Sequence, residues 1–397
     1  MGNSELDQLL LLKVQYFIKE NADADVRQLA LKKPPDASWN YASIMDQIKV
    51  RQKAKIKSFE LYETNGIIFP PSNVFEQASS SACAIYKANL VTGVSFVDLT
   101  AGAGIDAYYI SKNFKSATLV ERDKNSADLL KHNMAILAKN TSIYHGDALD
   151  FLKTANSVDF IFIDPQRREN SRRGIFDLSS CSPDVISLLL MLKDKTKKLL
   201  IKTSPVLDIE KAITALKYVT QVHVVQWRGE CKEVLYLLDF ASVMSLDDII
   251  INAVSLDDAG GVQQKFSYKF SDEKIAQPKY SMPQKYIFEP APAFMKAGGF
   301  KSMAVQLDID KISVNAHLYT KSAIVENFPG KIYEFIDIKP AKPKGLGIKK
   351  ADLTLRNFHG TVHDLKRKLK ISDGGEHRIF ATTLCNKDKK LIICKKI

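Results

Sequence analysis

The stretch Phe96-Val97-Asp98-Leu99-Thr100-Ala101-Gly102-Ala103-Gly104-Ile105-Asp106-Ala107 decides the fold. An apolar run leads to Asp98, two glycines follow closely, and an apolar helical pattern opens at Ile105. The reading is strand, tight turn, helix. Glycines let the backbone bend sharply and let a ligand approach the main chain. The helix start adds unpaired N–H donors. Gly102-x-Gly104-x-x-Ala107 also fits the dinucleotide fingerprint. Charge separates the readings, because a pyrophosphate would be repelled by Asp98 before the turn and Asp106 after it.

Three later strands also end in acids. Glu121 closes Leu119-Val120-Glu121, where an acid accepts from ribose hydroxyls. Asp147, in His145-Gly146-Asp147-Ala148, can accept from an adenine amino group. Asp164 ends Phe160-Ile161-Phe162-Ile163-Asp164. In a doubly wound sheet such ends line one crevice. Each acid alone reads as a surface loop residue. Four in step, behind a glycine turn, suit S-adenosylmethionine, which carries an ammonium and a sulfonium and no phosphate.

The flanking sequence supports an α/β class. Strands at 94–99, 116–120, 142–144, 158–163 and 198–201 alternate with helices, which implies a parallel sheet. Strands at 219–227 and 233–240, separated by Arg228-Gly229-Glu230-Cys231, read as an antiparallel hairpin. The first ninety residues read as helical, including one helix over 74–88. Beyond Val243 short β-rich pieces, among them 312–318, alternate with Pro-rich turns. A basic helix over 361–370 and a hairpin over 378–394 close the chain.

Of the 397 residues, 45% are hydrophobic and 26% charged, enough to bury a sizeable core. No apolar run is long enough for a membrane span or a signal-peptide core. The cysteines Cys83, Cys181, Cys231, Cys385 and Cys394 form no C-x-x-C pair, so the expected address is a reducing cytoplasm. Histidine spacing suggests no metal site. Residues 331–397 hold 17 Lys and Arg against 7 Asp and Glu, a net +10 of the chain's +12. Charge concentrated at one end points to a polyanion; a solvated lysine-rich face is the plainer alternative.

Several stretches carry a family likeness: Gln47-Ile48-Lys49-Val50-Arg51-Gln52-Lys53-Ala54-Lys55; Glu76-Gln77-Ala78-Ser79-Ser80 with Tyr86-Lys87-Ala88; Asp164-Pro165-Gln166-Arg167-Arg168; Tyr286-Ile287-Phe288-Glu289-Pro290; and His317-Leu318-Tyr319-Thr320. Residues 70–240 resemble class I (Rossmann-like) S-adenosylmethionine-dependent methyltransferases. The whole chain is similar to the subfamily with a C-terminal THUMP-like domain. The resemblance implies four parts: a helical N-terminal domain (1–70), the methyltransferase domain (71–242), a small β-rich ferredoxin-like region (243–325) and a basic α+β THUMP-like domain (326–397). It implies a tRNA or rRNA substrate, and a helix carrying Gln77 that closes over the methionine end of the cofactor.

The candidate cofactor residues are Gln77, Asp98, Thr100, Gly102, Gly104, Asp106, Glu121, Asp147, Ala148 and Asp164. The candidate catalytic group is Asp164, Pro165 and Arg167. Nucleic-acid amino methyltransferases place Asp/Asn-Pro-Pro-aromatic here, so Gln166 and Arg167 depart from the pattern. An exocyclic amine target is weakened, and ring nitrogen, carbon and non-nucleotide acceptors stay open. A guanidinium can stack on a base in place of the ring; alternatively Arg167 and Arg168 pair with Glu169 and Asp177. Lys202, ending the fifth strand, either contacts phosphate or tunes Asp164. The candidate RNA contacts are Arg168, Lys202, Lys366, Arg367, Lys368 and Lys370. The competing functions are methyl transfer to a protein or small molecule, and a non-catalytic protein that binds S-adenosylmethionine or RNA.

Overall fold

The computed structural model describes residues 3–167, 178–242, 244–343 and 345–397. The chain divides into two compact units: Met1–Arg228 with Lys232–Met244 and Leu256–Val262, and Gly229–Cys231 with Ser245–Ser255 and Gln263–Ile397.

In the first unit the strands are β1 (Ser95–Asp98), β2 (Ser116–Glu121), β3 (Thr141–His145), β4 (Val158–Ile163), the two-residue β5 (Gln166–Arg167) and β6 (Cys181–Ser182), β7 (Thr196–Thr203), β8 (Val219–Trp227) and β9 (Glu230–Asp239). The main sheet runs β3-β2-β1-β4-β7-β9-β8. Pairing is parallel for β1 with β2 and β4, β2 with β3, and β4 with β7, and antiparallel for β7 with β9. The chain enters at β1, runs outward to β3, and returns on the other side at β4. The order therefore reverses between β1 and β4, where a crevice opens at the strand ends. Phe160, Ile161, Phe162 and Ile163 are each no more than 1% exposed, which explains why β4 lacks alternation.

The helices start where short polar side chains can cap them. Asp123, Asp147, Asp184 and Asp208 each accept a backbone N–H from the first turn of the helix that follows. The single helix expected over 74–88 is two, Ser72–Gln77 and Ser81–Ala88. Ser80 is extended, and its hydroxyl accepts from Cys83 N at 3.2 Å. The apolar period runs through the break, but the serine cap stops the first helix and starts the second.

The N-terminal helices bury Val14, Ile18, Leu29, Trp39, Ile44 and Ile48 in a cluster that also takes in Leu129 of helix Lys124–Leu137. Gln47 acts as a surrogate strand. Its amide donates to Phe69 O at 2.6 Å and accepts from Phe69 N at 3.0 Å.

The second unit holds all but an end residue of β10 (Ile250–Leu256) and of β11 (Val262–Lys269), and the whole of β12 (Tyr286–Pro290), β13 (Asp310–Lys311), β14 (Tyr319–Lys321), β15 (Gly330–Pro340), β16 (Lys350–Arg356), β17 (Ser372–Thr383) and β18 (Lys389–Lys396). Its seven-stranded sheet runs β13-β14-β12-β15-β18-β17-β16. The strand expected over 312–318 is instead the connection between β13 and β14. Its Ile312, Ala316 and Leu318 are fully buried in a loop core while Val314 faces solvent, and His317 takes a positive φ of 51°. Among the described residues no helix is long and apolar enough to cross a membrane.

Gly104 shows what the turn requires. Its φ is +76°, and a Cβ there would lie 2.4 Å from Leu130 Cδ1 and 2.6 Å from Met134 Cε. Gly104→Ala is expected to cost about 1–3 kcal/mol from left-handed strain and overpacking, read as a lower urea midpoint.

Candidate active site

Two cavities meet at the carboxyl ends of β1, β2 and β4. The smaller, of 80 Å³, is lined by Thr100, Gly102, Glu121, Asp147, Ala148 and Asp164 among others. The larger, a cleft of about 1340 Å³, is lined by Gln77, Ser79, Asp164, Pro165 and Lys202 on one side. Lys57, Phe75, Trp227, Arg228 and Lys232 extend it. Arg122, Asp164, Gln166 and Ser182 belong to both walls. The β5–β6 pair sets Gln166 opposite Ser182 at this junction.

Short polar ties hold the strand ends together. Glu121 Oε2 accepts from Gly102 N at 2.9 Å, and its Oε1 accepts from Asp123 N at 2.8 Å. Asp98 Oδ1 accepts from Thr100 N at 2.9 Å. The Thr100 hydroxyl accepts from Asp164 N at 2.7 Å, tying the end of β1 to the end of β4. Asp147 Oδ1 accepts from Leu149 N at 2.8 Å, so this acid also caps a helix.

Behind the cleft runs a buried chain of charges. Lys87, 0% exposed, donates to both Glu233 oxygens at 2.6 and 2.7 Å and lies 3.1 Å from Asp106. Lys202 continues it, 3.7 Å from Asp106 and 2.5 Å from Asp164. The Ser79 hydroxyl donates to Asp106 at 2.7 Å and lies within reach of both lysines. Burial pulls the two lysines down, but the carboxylates outweigh it and hold both above the ordinary lysine range. Burial pushes Asp106 up, yet Lys87 and Lys202 carry it below the usual carboxylate range. Glu233 stays raised by its burial.

Asp98 differs. Burial first, then the charges of Asp106 and Asp164, lift its carboxyl well above the ordinary range. Lys57 is pulled down to about 8 by burial and by Lys202 and Lys232. Its ammonium rests on the carbonyls of Phe75 at 2.7 Å and Glu76 at 2.9 Å. Cys83 also lines the cleft, but burial pushes its thiol up to about 12, so no nucleophilic thiolate forms at neutral pH.

The structure thus brings Gln77, Thr100, Gly102, Glu121, Asp147, Ala148, Asp164, Pro165 and Lys202 to these two cavities. Asp98 is 1% exposed beneath Thr100, Asp106 belongs to the ion chain, and Gly104 packs against Leu130 and Met134. Arg167 pairs through its backbone with Cys181. Arg168, Glu169 and Asp177 lie outside the described residues. Lys366, Arg367, Lys368 and Lys370 lie in the second unit, on and just after helix Val362–Leu369; Lys366 pairs with Asp373 and Arg367 with Asp364. The ion-pair roles of Lys87 and Glu233 were missed in the sequence. A usable signal existed, since Lys87 sits on the apolar face with Cys83, Ala84 and Ala88.

Removing Lys87 leaves two carboxylates buried without their cation. Lys87→Met is expected to lose about 3–5 kcal/mol of stability, measured by urea unfolding at pH 7. Asp98 predicts a pH effect of opposite sense. Its folded pKa lies above the unfolded value of about 3.9, so its penalty is absent below that pH and full above the folded value. Asp98→Asn is expected to raise the urea midpoint at pH 7 and leave it unchanged at pH 3.

Residues 73–178 match the family described as Conserved hypothetical protein 95, residues 286–329 a ferredoxin-like domain, and residues 330–396 a THUMP domain-like family. A comparison with curated proteins finds no match. Among solved structures, a chain from Porphyromonas gingivalis W83 provisionally described as a methyltransferase is 26% identical, with a TM-score of 0.87 over 100% of this chain and 99% of that one. A chain from Pyrococcus horikoshii provisionally described as an RNA methyltransferase is 16% identical, with a TM-score of 0.33 over 47% of this chain and 97% of that one. With its reversed strand order, glycine turn and acid-lined crevice, the chain resembles the class I methyltransferases, and its matched regions join such a domain to a C-terminal THUMP-like domain.

Proposed function

We propose that the protein is a cytoplasmic S-adenosylmethionine-dependent methyltransferase that modifies a tRNA or rRNA base and holds the RNA through its basic C-terminal region. The observation that carries this reading is the meeting of two cavities at Asp164, one walled by Glu121 and Asp147 and the other wide and rimmed by cations.

The small cavity fits the cofactor. A Cβ on Gly102, at φ +50°, would meet nothing nearer than Thr100 O at 3.9 Å, so the space before the turn is open. Glu121 and Asp147 offer acceptors for hydroxyl and amino groups. The Gly102 N–H is already given to Glu121, which suits a donor-rich cation rather than a phosphate. Gln77 and Ser79 line the other cavity, on the side assigned to the methionine end. When bound, the cofactor supplies an electrophilic methyl group whose sulfur leaves neutral.

The chain's own residues then orient the acceptor and take its proton. Lys202 donates to Asp164 at 2.5 Å and Thr100 pins the Asp164 backbone, so the carboxylate has a fixed direction into the junction. There it accepts a hydrogen bond from an acceptor N–H, and the proton as the methyl is received. Lys366, Arg367, Lys368 and Lys370, with Arg168 and the run Lys49 to Lys57, supply counter-charge for phosphates.

Purified protein incubated with methyl-tritiated S-adenosylmethionine and total RNA from cells lacking the gene is expected to label RNA. Asp164→Asn should lower that transfer by roughly 100-fold or more, with cofactor affinity measured by calorimetry to separate binding from transfer. RNA affinity should fall steeply with salt. Label found only in protein or small molecules would overturn the RNA assignment.

A further inference from the structure

The motif lacks an aromatic ring after Asp164-Pro165. The same cleft receives another planar group, from the end of β8. Trp227 and Arg228 line it together with Asp164, Pro165 and Gln166. The Arg228 guanidinium carbon lies 5.0 Å from the centroid of the Trp227 indole.

Asp258 locks this arrangement. Its Oδ1 accepts from Trp227 Nε1 at 2.9 Å and from Arg228 Nε at 2.9 Å, and its Oδ2 accepts from Arg228 Nη2 at 2.7 Å. The guanidinium is therefore held by a two-point fork and backed by an aromatic ring. The turn that presents Asp258 is itself rigid. Asp257 Oδ1 accepts from Ala259 N at 2.9 Å and Gly261 N at 2.7 Å. At Gly260 a Cβ would lie 2.9 Å from both Ala82 O and Ile85 Cβ, so the turn sits directly on the helix that carries Lys87.

Arg228 at φ 51° and Gly229 at φ 78° are the two central residues of the turn from β8 to β9, a tight hairpin turn that takes positive φ at both. The Arg228 side chain is 47% exposed, and a surface ion pair of this kind contributes little to stability. The turn and the Asp258 fork together present a flat, oriented cation to the cleft.

We propose that Arg228, held by Asp258 and Trp227, is the platform on which the target RNA base stacks beside Asp164, in place of the ring that the motif lacks. The proposal deepens the RNA methyltransferase reading and rests on it. Guanidinium planes stack on unpaired bases much as aromatic rings do, and a charged plane adds attraction to the neighbouring phosphate. Asp258 and Trp227 act as positioning residues, and Arg228 touches the substrate.

The test uses the full-length protein, methyl-tritiated S-adenosylmethionine and total RNA from cells lacking the gene. Arg228→Lys keeps the charge and removes the plane. It is expected to lower kcat/KM for RNA about tenfold or more, in line with the loss of one stacked base, with calorimetric cofactor affinity and the thermal midpoint unchanged. Asp258→Asn loosens the fork and should give a smaller loss of the same kind. Wild-type rates in Arg228→Lys overturn the platform alone, since charge would then suffice. Weakened cofactor binding in Arg228→Lys also overturns it, assigning the guanidinium to the cofactor. A wild-type protein that labels no RNA sinks the parent reading and the platform together.

Discussion

The rest of the site depends on the burial of Lys87. An ammonium removed from water must be paired on every accessible side, or the fold does not bear it. Here its partners come from different places in the chain: Asp106 from the first turn of helix Ile105–Ser111 and Glu233 from β9. Asp106 is then shared with Lys202 of β7, which reaches Asp164 beyond β4. Two buried cations thus tie together two helices, Ser81–Ala88 and Ile105–Ser111, and the strands β7 and β9. The ionic chain ends on the carboxylate that faces the junction of the cavities.

The acids at the strand ends divide the labour. Glu121 spends an oxygen on each of two backbone N–H groups, and Asp147 caps a helix, yet both still line the cavity. Asp98 is sealed in and orders Thr100, which in turn holds Asp164. Structure and ligand binding are not alternatives at these positions. A carboxylate has about four acceptor sites, so one backbone bond leaves capacity for a ligand, provided that an oxygen faces the cavity.

Much of the fold was legible because the signals are local. A fully apolar run such as 158–163 names a buried parallel strand, and glycines two apart before a helical period name the turn. Local reading failed where a period was continuous but a cap intervened, as at Ser80. It failed again where apolar residues served a loop core, as at Ile312, Ala316 and Leu318. At the site, Glu121, Asp147 and Asp164 were readable since each follows a strand directly. Glu233 and Asp258 were not, because their partners lie 146 and 30 residues away.

By itself the sequence determined the strand–helix alternation from about residue 94 to 216, the glycine turn and the row of acids, because each rests on neighbours a few residues apart. It also set the excess of positive charge near the C-terminal end. Only the tertiary structure decided which acids face a cavity and which hold the backbone. It alone paired Lys87 with Glu233 and set Arg228 between Trp227 and Asp258. Charge pairing and stacking are governed by distance in space, and folding alone converts separation along the chain into that distance.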